Sequence, residues 1–227
     1  MNNTLPYTVL LDLGVRFANK LADKYHSVAD YFDARFETLI DEVLETLVVP
    51  RQNDTLLLGI FTDNELIWGP DWRTPLTLLQ IYLDFSIASA GRLIALEFLK
   101  NQSKSVDNFN AVWKTNIKSL DEIDSLPISA FDVKTTEAEK ITTAFDGMVA
   151  EQYGKVTAEK IRAAAPNHLI LGCRFAGNPG EIIMEKTAQY TDVFSYAGYN
   201  FDYNWDEWDA FVQKVNRPIL VDRKSVV

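Results

Sequence analysis

Short apolar runs and longer segments with helical spacing alternate along the chain. Five runs have the length of buried strands, and they predict strands at residues 7–14, 56–61, 168–175, 192–196 and 217–221. Between them, apolar positions three and four residues apart predict helices. The clearest case is the segment 34–48, in which Phe36, Leu39 and Val43 fall on one helical face. Asp33 is its candidate N-cap.

The other helical patterns differ in length and clarity. Predicted helices cover residues 75–86, 88–99, 138–165, 180–189 and 205–215. Thr74 is a candidate cap for the first of them, and Gly154 is a candidate break in the long third one. Residues 15–29 have mixed polarity and predict a loop with some helical character. The segment at about 103–136 is the least regular, and we interpret it as a helical excursion within one domain that spans residues 1–227.

Strands that alternate with helices predict βαβ units and a parallel sheet, so the fold class is α/β. Two architectures fit five strands: an open doubly wound sheet, and part of an eight-stranded (β/α)8 TIM barrel. No glycine-rich phosphate-binding fingerprint follows any predicted strand. Polar and aromatic residues gather after several strands, from Asp63 to Trp72, at Arg174, and from Tyr196 to Tyr203. Such dispersal over several strand ends favours the barrel.

The charge balance limits the partners of the chain. Asp and Glu number 32 against 22 Lys and Arg, and the net charge of −10 argues against nucleic acid or an anionic membrane as a partner. No apolar run approaches the roughly 20 residues of a membrane span. No signal peptide opens the chain, but Met1 need not be the natural start, so localisation stays open and includes secretion or the periplasm. Neither a metal nor a cofactor is expected, because no ligand spacing or cofactor motif occurs.

The best candidate for chemistry is the stretch that follows the second predicted strand. It contains Asp63, Asn64 and Glu65, and two tryptophans, Trp68 and Trp72, come shortly after. Glu65 suits a proton donor to a glycosidic oxygen, because apolar neighbours favour the protonated form of a carboxyl group. Asn64 can hydrogen-bond a sugar hydroxyl, and indole rings can stack on the apolar faces of sugars. Side chains alternate along a strand, so Asn64 and Glu65 face one site only if the strand end bends.

Structural explanations compete with each of these roles. Glu65 can instead cap a loop or a helix, and either tryptophan can pack in the core. Arg174 ends the third predicted strand, where a cation is costly unless it is paired. It either faces the site beside a carboxylate or forms a structural salt bridge. His168 lies at a strand start and Cys173 within an apolar run, so both are expected to be structural.

Four segments together resemble a known group of enzymes. They lie at residues 31–36, 59–69, 166–176 and 192–199, and their most specific pieces are Asp63-Asn64-Glu65 and Leu171-Gly172-Cys173-Arg174-Phe175-Ala176. The chain from Tyr7 to Val221 is similar to retaining glycoside hydrolases of the Asn-Glu clan (clan A), and within it to β-agarases and related β-galactosidases. The resemblance implies hydrolysis of O-glycosidic bonds in β-galactoside polysaccharides or oligosaccharides, so the expected partner is a carbohydrate substrate.

For the fold, the resemblance implies an incomplete (β/α)8 TIM barrel that contains strands three to seven and lacks the first two and the last. Glu65 would be the general acid/base at the end of strand four. Pattern and resemblance together give seven candidate substrate-binding residues: Asp63, Asn64, Trp68, Trp72, Arg174, Tyr196 and Tyr199. Tyr199 would follow strand six and touch the nucleophile or the substrate. Open strand edges at both ends would invite self-association.

A retaining mechanism needs a second carboxyl group about 5 Å from the acid. The resemblance implies a glutamate at the end of the seventh strand, and Arg223 stands at that position here. Asp222 is one residue early and has a shorter side chain. We therefore expect a fragment with little or no turnover. The alternatives are a carbohydrate-binding protein without catalysis, which would use Trp68, Trp72 and Arg174, and an α/β enzyme of another kind.

Overall fold

The fold is taken from a computed structural model, which describes residues 5–20, 28–132, 134–197 and 205–222. At its centre lies a five-stranded parallel sheet. Its strands are β1 (Tyr7–Leu10), β2 (Leu57–Asn64), β3 (Leu169–Ala176), β4 (Phe194–Ala197) and β5 (Ile219–Asp222). All five predicted strands are present. The second continues past Phe61, where its apolar run ends, as far as Asn64.

Strand order follows chain order, from β1 at one edge of the sheet to β5 at the other. Leu10 pairs with Phe61 between β1 and β2, and Asn64 pairs with Arg174 between β2 and β3. The α/β class and the parallel sheet are thus confirmed. A doubly wound sheet has a point where the strand order reverses. The described strands have no such reversal, so the doubly wound alternative is wrong for this part of the chain.

Eight α-helices accompany the strands in the described ranges. They are α1 (Leu13–Lys20), α2 (Ala34–Leu47), α3 (Leu78–Leu83), α4 (Ala90–Gln102), α5 (Val106–Trp113), α6 (Thr136–Ala164), α7 (Glu181–Ala188) and α8 (Trp205–Val215). Short 3-10 helices lie at Val49–Arg51, Leu120–Ser125 and Ile128–Phe131. α1 occupies the start of the segment predicted as a loop. It forms because Leu13 and Phe17, four residues apart, are both fully buried.

Side-chain caps set the starts of several helices. Asp33 accepts a hydrogen bond from the Arg35 N–H at the start of α2, as the sequence predicts. The predicted cap Thr74 is wrong, because α3 begins after Thr77. Thr77 and Gln80 form a capping box, in which each side chain accepts a hydrogen bond from the other residue's backbone N–H. This reciprocal pair satisfies two backbone donors that Thr74 cannot reach.

α6 runs for 29 residues without the break predicted at Gly154. Gly147 and Gly154 are seven residues apart, so they share one helical face. A Cβ atom at Gly147 would lie 2.8 Å from Ile182 of α7, and one at Gly154 would lie 2.9 Å from the ring of Tyr190, just after α7. The two glycines therefore allow α7 to approach α6 closely, and neither of them ends the helix.

The hydrophobic core lies between the sheet and the helices. Ile60, Ile170 and Phe194 enter it from the strands, and Phe36 and Phe145 enter it from α2 and α6. All five of these side chains are almost completely buried. Among the described residues, no helix combines the length and apolar character that crossing a membrane requires.

Candidate active site

Asp63 joins the end of β2 to two helices. Its side chain has no solvent exposure, and its carboxyl oxygens accept hydrogen bonds from the Gly14 N–H and the Tyr153 hydroxyl, each at 2.8 Å. Gly14 lies in the first turn of α1, which follows β1. Asp63, on the neighbouring strand β2, therefore supplies a hydrogen-bond acceptor to the N-terminus of that helix. This corrects the expected role in substrate binding, because the carboxyl has no surface to offer a sugar.

Burial also changes the protonation of Asp63. It raises the pKa of this carboxyl to about 8, although the hydrogen bonds from Tyr153 and Gly14 act in the opposite direction. The negative charge of Asp12, just beyond β1, adds to the rise. At neutral pH Asp63 is therefore mostly protonated in the folded chain. The two residues that follow it, Asn64 and Glu65, then have an uncharged neighbour.

The backbone of β2 bends at Glu65. This residue has a φ of 53°, in the left-handed region that costs a non-glycine residue roughly 1–2 kcal/mol. Its N–H donates to the Arg174 carbonyl oxygen at 2.8 Å, so Glu65 stays hydrogen-bonded to β3 while the chain turns. A bend at this point is what the alternation of side chains requires if Asn64 and Glu65 are to face one site.

Asn64 and Arg174 form a pair across β2 and β3. Arg174 donates from Nε and Nη2 to the amide oxygen Oδ1 of Asn64, at 2.9 and 2.6 Å. The guanidinium carbon lies 5.3 Å from the centre of the Phe61 ring, which places the cation over an aromatic face. Because Oδ1 of Asn64 accepts both hydrogen bonds, the orientation of the Asn64 side-chain amide is fixed. Its NH2 group therefore points away from Arg174.

The loop after Glu65 is held by Asp71 and Arg73, for which the sequence analysis proposed no role. Arg73 Nε and Nη2 donate to Asp71 Oδ2 at 2.9 and 2.6 Å. The same guanidinium donates to the backbone carbonyl oxygens of Glu65 and Leu66. The Asp-x-Arg spacing was a signal for the ion pair of Asp71 and Arg73, since the same spacing brings Arg35 onto Asp33.

The two tryptophans of the loop differ in position. Trp72 is 72% exposed, and the Arg73 guanidinium lies 4.5 Å from its ring centroid. Trp68 is only 5% exposed, and its ring packs against Tyr153 at 5.3 Å and Phe175 at 6.0 Å. The expected stacking of Trp68 on a sugar is therefore corrected to core packing, whereas the position of Trp72 suits such stacking.

The sequence also singles out Tyr196, Tyr199, Arg223 and His168. Tyr196 is corrected, because its ring packs on Trp208 of α8 at 4.8 Å and thus lies on the helix side of the sheet. Tyr199 and Arg223 lie outside the described residues. His168 is buried and bonded through its ring nitrogens to the carbonyls of Leu57 and Gln52, which fits the structural role expected of it.

A small cavity lies behind the loop, with a volume of about 100 Å³. Its lining includes Leu66, Trp68, Arg73, Asn178 and, from α6, Asp146. Burial raises the pKa of Asp146 to about 7, and its Oδ1 has no hydrogen-bond partner in the described part of the chain. No sequence signal marks Asp146, since an aspartate within a long helix is usually exposed. Small-molecule sites measure roughly 300 Å³ or more, so the cavity by itself indicates no ligand.

The described residues contain no group of three or more His, Cys, Asp or Glu side chains that could hold a metal ion. Cys173 is buried beside Asp63, and burial raises the pKa of its thiol far above the usual range. A thiol in this state is a poor nucleophile. The ends of β2 and β3 and the loop after β2 thus offer the half-buried carboxyl of Glu65, the amide of Asn64, the guanidinium of Arg174 and the exposed indole of Trp72.

Comparisons with known proteins point to one group. Beta-agarase A from Vibrio sp. (strain JT0107) is 29% identical over 208 residues, covering 85% of this chain and 20% of that protein. Beta-agarase B from the same strain is 27% identical over 210 residues, covering 88% of this chain and 21% of that protein. The chain is similar to β-agarases. It spans about a fifth of the length of these relatives, and no family model matches it.

Solved structures agree with the sequence relatives. An exo-beta-agarase structure matches with a TM-score of 0.74 and 26% identity, over 86% of this chain and 26% of that chain. A crystal structure of an agarase matches with a TM-score of 0.75 over 95% of this chain and 31% of that chain, and at 22% identity it supports the fold alone. The predicted similarity to glycoside hydrolases of the agarase type is thereby confirmed.

Proposed function

We propose that this chain carries the acid/base side of a glycoside hydrolase site that acts on galactan polysaccharides such as agar. Glu65 is the general acid that protonates the glycosidic oxygen, and in a retaining mechanism it then serves as the base that activates water. Asn64 and Arg174 bind sugar hydroxyls beside it. Trp72 offers an exposed ring on which a sugar can stack.

One observation carries this proposal, namely the position of Glu65 in a chain that is similar to β-agarases. Glu65 lies at a bend just past the C-terminal end of a parallel strand, where α/β folds place their chemistry. Its neighbour Asn64 is bonded to Arg174 from the adjacent strand. An acid, an amide and a cation thus lie together at the C-terminal ends of two adjacent strands, β2 and β3.

The proposed setting is a (β/α)8 barrel in which β1 to β5 serve as strands three to seven. Sequential strand order and uniform parallel pairing support it, since both are properties of that barrel. The second carboxyl group of a retaining site would come from the strand-seven side of the barrel. In the described sheet β1 and β5 each lack a neighbour on one side, and such edges favour self-association.

The test is a comparison of Glu65→Gln with a matched variant, Glu97→Gln, which changes an exposed glutamate on α4, each made in a full-length version of the protein. Agar oligosaccharides and an aryl β-galactoside would be incubated with each protein, and products would be measured by chromatography. We expect Glu65→Gln to lose hydrolysis of agar oligosaccharides, which have a poor leaving group, and to retain more of its activity on the aryl substrate. Binding of the oligosaccharides should survive in both variants.

Three outcomes would decide against the proposal or narrow it. Unchanged hydrolysis of agar oligosaccharides by Glu65→Gln would exclude Glu65 as the acid. Saturable oligosaccharide binding without product, in a chain shown to be complete, would favour a non-catalytic carbohydrate-binding protein. Absence of binding in all three proteins would remove galactans as the ligand.

A further inference from the structure

The left-handed backbone of Glu65 has an identifiable support. Its N–H is bound by the Arg174 carbonyl at 2.8 Å, which fixes one side of the residue. On the other side, the Glu65 carbonyl oxygen accepts a hydrogen bond from Arg73 Nη1, and the Leu66 carbonyl oxygen accepts one from Arg73 Nη2 at 3.2 Å. A non-glycine residue stays in this conformation only where its surroundings impose it. Arg73 is thus the side chain that binds the carbonyl of the bent residue.

Asp71 holds Arg73 in the orientation in which its guanidinium reaches the carbonyls of Glu65 and Leu66. It accepts from Nε and Nη2 through Oδ2, and its Oδ1 accepts from the Arg73 backbone N–H at 2.6 Å. The planar guanidinium can serve a carboxylate and two carbonyls at once, because its donors point in fixed directions. The ion pair is largely covered, with side-chain exposures of 26% for Arg73 and 19% for Asp71.

The chain contains a natural comparison for this arrangement. Asp33 and Arg35 have the same spacing and the same local bonds, since Arg35 donates to the Asp33 carboxylate from its backbone N–H, Nε and Nη2. The Arg35 side chain is nevertheless 68% exposed. Among the described residues, its side chain donates hydrogen bonds to Asp33 and to no backbone carbonyl. The reach to the carbonyls of a distant bend is therefore a property of Arg73, and the Asp-x-Arg motif does not by itself produce it.

We propose that Arg73 is a positioning residue for Glu65, because it fixes the left-handed bend that aims the Glu65 carboxyl. This inference rests on the proposed function for the role of Glu65, but the bend itself can be tested without any activity. Lysine keeps the charge of Arg73 but has one nitrogen, which cannot bind two carbonyls and a carboxylate in a planar fork. Loss of the fork should release the Glu65 peptide toward ordinary strand geometry.

The test compares Arg73→Lys with Arg35→Lys by NMR of the isotopically labelled chain. The readouts are the Cα and Cβ chemical shifts and the backbone coupling constant of Glu65, which report its φ angle. We expect Arg73→Lys to shift these signals away from left-handed values, and Arg35→Lys to leave them unchanged. If Arg73→Lys does not fold, Asp71→Asn supplies the same test, because it removes the carboxylate that orients the guanidinium.

Unchanged Glu65 signals in Arg73→Lys, or in Asp71→Asn where that variant replaces it, would overturn the inference. Where agar oligosaccharides are hydrolysed, a second readout applies. Arg73→Lys should lower kcat about tenfold to a hundredfold with little change in KM, the loss that misplacement of a catalytic group produces. It should affect the aryl β-galactoside less than the oligosaccharides. Equal losses on both substrates would indicate general destabilisation and would overturn the positioning role. Absence of hydrolysis in every variant of a full-length version would count against the proposed function alone, since the NMR result would stand.

Discussion

Replacing Asp63 with asparagine should remove a pH dependence of stability that the buried carboxyl imposes on the folded chain. The pKa of Asp63 is about 8 in the folded chain, whereas an aspartate in an unfolded chain titrates near 3.9. Between these values the folded chain holds a proton that the unfolded chain has lost. The stabilisation from this proton is complete below about pH 4 and is lost as the pH rises through the folded pKa, above which stability levels off.

The size of the effect follows from the same two pKa values. One pKa unit corresponds to about 1.4 kcal/mol, and Asp63 is half-deprotonated at pH 8, so the loss between about pH 5.5 and pH 8 is about 3 kcal/mol from Asp63 alone. Measurements should begin near pH 5.5 because the isoelectric point is about 4.7, where solubility is lowest. Asparagine keeps an acceptor for the Gly14 N–H but presents a different group to Tyr153. This adds a cost of about 1 kcal/mol that does not vary with pH.

Urea unfolding followed by tryptophan fluorescence gives the free energy of unfolding at each pH. We expect the curve of the unchanged protein to fall more steeply than that of Asp63→Asn up to about pH 8 and to run parallel to it above. Asp107→Asn, at an exposed position on α5, is the control and should follow the unchanged protein. A difference between the unchanged protein and Asp63→Asn that stays constant across this range would refute a buried, protonated Asp63.

Two further substitutions test other parts of the structure. Asp146→Asn should also flatten the pH dependence, but by about 2 kcal/mol and only up to about pH 7, because burial raises the pKa of Asp146 to about 7; an unchanged pH profile in urea unfolding would contradict this. Gly91→Ala should destabilise the chain by about 2 kcal/mol or more, since its Cβ would lie 2.5 Å from Oδ1 of the buried Asp30, whose other oxygen, Oδ2, accepts the hydrogen bond of the Gly91 N–H. A melting temperature equal to that of the unchanged protein would show that this contact relaxes freely.

Helical spacing of apolar residues correctly predicted the helices that bury only one face. The helix at Ala34–Leu47 and the helix at Trp205–Val215 lie almost where the apolar spacing placed them. The strands were found as apolar runs, which are typical of parallel sheets. Such runs carry no information about which face a side chain occupies.

That missing information explains the errors among the candidate site residues. Asp63, Trp68 and Tyr196 follow or end apolar runs, and their types suit sugar binding. Their side chains nevertheless point toward the helices, where Tyr153 and Trp208 receive them. The partners lie far away in the chain, so no local pattern could have revealed them. Glu65 differs because its left-handed backbone takes it out of the alternation of the strand.

The contribution of Arg73 was hidden for a related reason. Its local bond to Asp71 could be predicted from spacing, as the matching pair of Asp33 and Arg35 demonstrates. Its bonds to the carbonyls of Glu65 and Leu66 depend on the path of the loop between them. That path depends on tertiary packing, including the burial of Trp68, which propensity and periodicity do not encode.

The close packing around Gly14, at the N-terminus of α1, limits how this part of the chain can be engineered. A side chain at Gly14 would place its Cβ 3.0 Å from the Tyr31 hydroxyl and 3.1 Å from the Leu66 side chain. The Gly14 N–H is at the same time bound to Asp63. Gly14, Asp63 and Leu66 therefore form one transferable unit, although 49 residues of chain separate Gly14 from Asp63. Grafting this strand end onto another scaffold, or recombining it with a relative, should preserve its geometry only when all three residues are moved together.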